Sequence, residues 1–178
     1  GVDFYTTGPL KWLCGGPGLS YLFVRLDLIQ GLQPSVTGWF GAENAFDFDI
    51  RSFVPHQDAR RFEMGTPALP TVHTALGGQE IINEVGIQAI QDRNRTLTET
   101  LVQGCEEAGF PLTIHPDPKQ RSAIVMVQHA DPAGAVRHLA QAGIIVDHRP
   151  GHVRVSPHFY NTEDEIRVFL ERLKSFPG

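Results

Sequence analysis

The sequence predicts an α/β chain in two parts, one over residues 1–88 and an α+β part over residues 89–178. Two observations point there. Short β-branched and aromatic runs alternate with stretches whose apolar residues recur at helical spacing. The style of the chain also changes in its last third, where strand and helix patterns follow one another closely from Phe110 to Phe176.

The elements read in order. Val2 to Tyr5 is a short strand, followed by a Gly/Pro-rich loop from Thr6 to Gly18 (TTGPLKWLCGGPG). Leu19 to Arg25 (LSYLFVR) has the composition of a buried strand. From Gly31 to Pro70 periodicity breaks up, as it does in segments that carry function rather than core. Thr71 to Val85 is helical and Gly86 marks a joint. A longer helix follows, with Ile87, Ile90, Asn94, Leu97 and Leu101 along one face. Leu112 to His115 and Ala123 to His129 are strands. Asp131 caps a helix from Pro132 to Ala142, which Gly143 ends. Ile144 to His148 and His152 to Ser156 form two more strands around Arg149-Pro150-Gly151. The last helix opens on the capping box Thr162-Glu163-Asp164-Glu165 and buries Ile166, Phe169, Leu170, Leu173 and Phe176.

Composition excludes several functions. The chain is 41% hydrophobic, enough to bury a core, and its net charge of −5 offers nothing to nucleic acid or an anionic membrane. No apolar run approaches the roughly 20 residues of a membrane span. Two cysteines, Cys14 and Cys105, make no disulfide scaffold and fit a reducing compartment, so the cytoplasm is expected. His148, His152 and His158 lack the companions of a metal site. The chain opens at Gly1 directly on the apolar run Val2-Asp3-Phe4-Tyr5, which reads as a truncated chain.

Lys11 is the residue with chemistry to offer. It stands between a strand and Gly15-Gly16-Pro17-Gly18, flanked by Leu10, Trp12 and Leu13. An amine in an apolar pocket loses hydration for its charged form and becomes a nucleophile fit for a Schiff base. Spacing alone favours a surface lysine beside a turn, because charged side chains are seldom buried. A P-loop is set aside because the GxxxxGK[ST] spacing is missing.

The stretch DFYTTGPLKWLCGGPGLSYLFVR resembles the lysine region of class V aminotransferases, the group that holds kynureninases, cysteine desulfurases and isopenicillin-epimerase-like enzymes. Lys11-Trp12-Leu13-Cys14 resembles the epimerase-like members, and Gly15-Gly16-Pro17-Gly18 the kynureninases, although Leu10 stands where kynureninases usually carry tyrosine. Gly38-Trp39-Phe40-Gly41 is similar to a kynureninase segment, and Arg61-Phe62-Glu63-Met64-Gly65-Thr66-Pro67 to one widespread in the class. Gly151 to Thr162 resembles the stretch that closes these enzymes.

The resemblance implies a partial PLP-transferase of fold type I, aspartate aminotransferase-like. Residues 1–88 would be the C-terminal part of the large parallel-sheet domain, and 89–178 the small domain. It implies pyridoxal 5′-phosphate (PLP) as cofactor in the complete enzyme, with Lys11 as the lysine that holds it and moves the substrate α-proton. Trp39 and Thr66 would reach the cofactor phosphate of the partner subunit, and Arg154 the α-carboxylate of an amino-acid substrate. It implies a homodimer performing transamination, epimerisation or side-chain cleavage. Ile144 to Arg154 contains no cysteine, which disfavours a desulfurase. A truncated chain would be inactive alone, and the alternative is a non-catalytic dimerisation or binding module derived from such an enzyme.

Overall fold

The structure is a computed structural model that describes residues 1–177. It divides into two compact units, Gly1–Glu84 and Val85–Gly178.

In the first unit, β1 (Phe4–Thr7) and β2 (Tyr21–Val24) pair antiparallel, with Phe4 opposite Val24 and Thr7 opposite Tyr21. The expected burial of the second strand is corrected. Tyr21, Leu22 and Phe23 are exposed and only Val24 is buried, because among the described residues β1 and β2 pair only with each other. A single turn of helix, α1 (Leu26–Ile29), follows. The aperiodic stretch contains two 3₁₀ turns, Trp39–Gly41 and Ala59–Phe62. Helix α2 (Leu69–Val85) then buries Ala75, Gly78 and Ile82, spaced by three and four residues as one helical face requires.

In the second unit, α3 (Ile87–Glu107) starts at Gly86 and buries Ile90, Leu97, Leu101 and Cys105. Ile87, expected on the same face, is 71% exposed because it lies at the first position of the helix, ahead of the core. The strands β3 (Leu112–Thr113), β4 (Val125–Gln128), β5 (Asp147–Arg149) and β6 (His152–Val155) form an antiparallel sheet in the order β3-β4-β6-β5. Val125, Val127, Val153 and Val155 face the core with Leu97, Leu101 and Cys105, and α4 (Pro132–Gln141) and α5 (Glu163–Lys174) add Leu139, Phe169 and Leu173.

Strand β5 begins later than the apolar run Ile144-Ile145-Val146 suggests. The Gly143 and Ile144 N–H groups donate to the Ala140 and Leu139 carbonyls, at 3.0 Å each, and so finish α4. Gly143 has φ +77°, the left-handed conformation such a helix end uses. Residue 144 is thereby committed to the helix terminus, and pairing with β6 starts at Asp147. Both caps read from the sequence form. Asp131 accepts from the Gly134 N–H, and Thr162 and Glu165 make the reciprocal capping box.

Candidate functional site

The lysine loop is built by backbone bonds and by glycines. Cys14 N–H donates to the Lys11 carbonyl at 3.2 Å and Gly15 N–H to the Pro9 carbonyl at 2.8 Å, so residues 9–15 fold into a turn with Lys11 at its tip. The turn lies on α2. A methyl group on Gly78 would run into the Leu13 carbonyl and lie 2.7 Å from Gly15 N, and one on Gly16 would lie 2.8 Å from Thr74 Cγ2. Two glycine-dependent contacts therefore seat the loop on the helix. Lys11 itself is exposed. The expectation of an amine buried among apolar neighbours is corrected, because nothing among the described residues covers the turn tip. No described residue bonds or pairs with its ammonium.

Trp39 and Thr66 come from segments that interlock through three glycines. A Cβ on Gly38 would overlap the Met64 carbonyl, one on Gly41 would lie 2.9 Å from the Arg61 carbonyl oxygen, and one on Gly65 would lie 3.3 Å from Trp39 Nε1. The indole N–H thus borders the residue before Thr66. Neither Trp39 Nε1 nor Thr66 Oγ1 has a hydrogen-bond partner among the described residues. Trp39 packs against Phe40, Phe46 and Phe48, with ring centroids 4.7, 5.6 and 6.3 Å away. Arg61, which the sequence offered only as part of a motif, is 3% exposed. Its Nε donates to the His56 carbonyl at 2.8 Å, and one Nη donates to the Ile29 and Leu32 carbonyls at 2.5 and 3.0 Å. Its one available signal was the broken periodicity around it, since a loop that long needs an internal tie.

Arg154 belongs to the second unit. It stands on β6, opposite Met126 of β4 and Asp147 of β5. Its strand neighbours Val153 and Val155 are buried on the other face, so Arg154 shares the polar face with His152. The guanidinium is half-buried and has no bonded partner among the described residues. Asp147 does not neutralise it, because Asp147 pairs with Arg149. The Arg149 side chain, followed by the His148 backbone N–H, holds the Asp147 carboxyl below the usual carboxylate range. His152 takes part in a short chain, with Gln128 Nε2 donating to Thr113 Oγ1 at 3.3 Å and Thr113 lying 2.9 Å from His152 Nε2. The segment after β6 is held by Arg93 of α3, which forks onto Glu163 at 2.5 and 2.9 Å and onto the Asn161 carbonyl at 2.7 Å.

The chain has the fold of part of a PLP-dependent enzyme of fold type I. A structure of the cystine C-S lyase C-DES with glycine covalently linked to its PLP cofactor has this fold, at TM-score 0.85 and 21% identity over 99% of this chain and 46% of that one. The family described as Aminotransferase class-V matches residues 1–169, and the chain belongs to it. It is 32% identical to the uncharacterized aminotransferase YcbU of Bacillus subtilis over 97% of its own length, and 30% identical to a kynureninase of Geobacillus thermodenitrificans over 98%. It spans 45% and 42% of the lengths of those two relatives.

PLP is the cofactor of this family, and the first unit fits it. A phosphate needs hydrogen-bond donors; the indole N–H lies against Gly65, the residue before Thr66, and neither it nor the threonine hydroxyl has an acceptor among the described residues. An aldehyde needs an amine without a competing partner, which Lys11 has. Among the described residues no helix is long and apolar enough to cross a membrane.

Proposed function

We propose that this chain carries the cofactor lysine, a phosphate-binding pair and the substrate-carboxylate arginine of a PLP-dependent enzyme that transforms an amino acid. When bound, PLP draws electron density from the substrate α-carbon and so makes its bonds labile. Lys11 supplies the amine that holds the cofactor aldehyde, and once released it takes or returns the proton at that carbon. Thr66 and Trp39 donate hydrogen bonds to the cofactor phosphate of a partner subunit in a homodimer. Arg154 receives the substrate α-carboxylate with two parallel N–H donors, the geometry a guanidinium presents and an ammonium does not. Transamination, epimerisation and side-chain cleavage all use this arrangement, and the cytoplasm is its setting.

The observation that carries the reading is the lack of a protein partner for both cations in a chain rich in carboxylates. Six other arginines pair with a carboxylate at 2.8 Å or less on the same chain. Among the described residues Lys11 and Arg154 make none, a trait they share with Arg137, Arg172, Lys119 and Lys174, but of these only Lys11 and Arg154 stand in the family's motifs.

The experiment is a PLP titration of the chain followed by absorbance near the edge of the visible. The expected result is a new band in wild type that is lost in Lys11→Ala. A wild-type spectrum that is merely the sum of chain and cofactor would reject the cofactor role and favour the non-catalytic dimerisation module.

A further inference from the structure

We infer that Arg61 is a positioning residue for the cofactor phosphate: its buried guanidinium ties the start of the aperiodic segment to its interior and fixes the Trp39–Gly65–Thr66 junction. The inference rests on the phosphate reading above and adds to it a residue that touches neither cofactor nor substrate.

Arg61 is buried within the range of the core side chains, at 3% exposure, yet among the described residues it meets no carboxylate. The neighbouring Asp58 is occupied by Arg60 at 2.7 Å. A buried charge without a counter-ion is costly unless dipoles replace its water. Here three carbonyl oxygens do so: Ile29 and Leu32, where the segment begins, and His56, well inside it. These bonds span 32, 29 and 5 residues, so one side chain closes a loop that has little regular structure of its own.

What the closure holds in register is specific. Arg61 is in the second 3₁₀ turn, four residues before Gly65. Its own carbonyl and that of Glu63 are the atoms a methyl group on Gly41 would meet, at 2.9 and 3.0 Å, so the Arg61 backbone is the surface on which the Trp39–Gly41 turn rests. Side chain and backbone of one residue thus fix both halves of the junction. An ammonium cannot reproduce this, because a lysine has no planar fork to reach carbonyls on separate segments.

The test uses the 178-residue chain with Trp12→Phe, so that Trp39 is the single fluorophore. Arg61→Gln and Arg61→Lys are compared with this parent for melting, for Trp39 emission without ligand, and for PLP affinity from the visible band. The expected result is red-shifted, more quenchable Trp39 emission and PLP affinity weaker by on the order of tenfold or more, as misplaced binding groups produce. The band itself should keep its wavelength, since Lys11 is untouched. A merely structural role would lower the melting temperature and leave the emission and the PLP affinity of the folded variants at parental values, and that outcome overturns the inference. If Arg61→Gln fails to fold, Arg61→Lys decides by the same two readouts. If the parent forms no band with PLP, the phosphate reading fails by itself. Trp39 emission then decides whether Arg61 holds the junction, and an unshifted spectrum rejects it.

Discussion

At the scale of single residues, the two cysteines show how environment divides one chemistry into two behaviours. Cys105 has no exposed surface, and burial pushes its thiol up to about 12, so thiolate is negligible at neutral pH. Cys14 is half-buried on the lysine turn. We expect one thiol per native chain to react with an aromatic disulfide at pH 8 and two after denaturation, with Cys14→Ser removing the native reaction. Arg154→Lys should weaken amino-acid binding in the complete enzyme by more than tenfold, or about 1.4 kcal/mol and above, because a bidentate contact becomes a single one. Wild-type affinity in that variant would take Arg154 out of the site. Both residues could be singled out in the sequence, Arg154 by its motif and Cys105 by its apolar helix face. The exposure of Lys11 could not, since the solvent a turn tip meets depends on which distant elements cover it. Arg61 was hidden for the same reason, as its three carbonyl partners come from 5 to 32 residues away.

At the scale of elements, what was legible was local. The capping box of α5 is written within four residues, and both of its reciprocal bonds form, with Thr162 N–H donating to Glu165 at 2.7 Å and Glu165 N–H to Thr162 Oγ1 at 3.2 Å. Thr162→Ala should cost about 1 kcal/mol of stability in chemical denaturation. The start of β5 was misjudged because an apolar run is also what a helix-ending turn needs against the core. Helices α3 and α5 are joined by Arg93 and Glu163, and the Arg93 side chain holds the Glu163 carboxyl below its ordinary value of 4.5. A lowered carboxylate stabilises the fold above its unfolded value and stops doing so as pH falls through its folded one. The melting temperature of wild type should therefore drop more steeply below about pH 4.5 than that of Glu163→Gln. Parallel curves would show that the pair adds nothing to stability.

At the scale of the whole chain, the two units differ in how far they satisfy themselves. The second unit surrounds a contiguous core of Leu97, Leu101, Val125, Val127, Leu139, Val153 and Leu173, none with any exposed surface. Leu139→Ala should cost roughly 2–5 kcal/mol in denaturant unfolding, as such truncations do. The first unit leaves Phe4, Tyr5, Tyr21, Leu22, Phe23, Phe46, Phe48 and Ile50 exposed. Exposed apolar area of that extent calls for covering polypeptide, which supports the proposed homodimer. Sedimentation of the chain should show self-association, and strong binding of a hydrophobic dye by a monomer would count against a dimer of this chain alone.

The contact of Gly78 with the backbone of Leu13 to Gly15 has a kinetic consequence. More than 60 residues separate the two sites in the chain, so the lysine turn acquires its support only when a distant segment has coiled and closed upon it. Loop closure over that span is entropically expensive and late. The chemistry-bearing turn should therefore be among the last parts to gain amide protection during refolding, after helices that form from neighbouring residues alone.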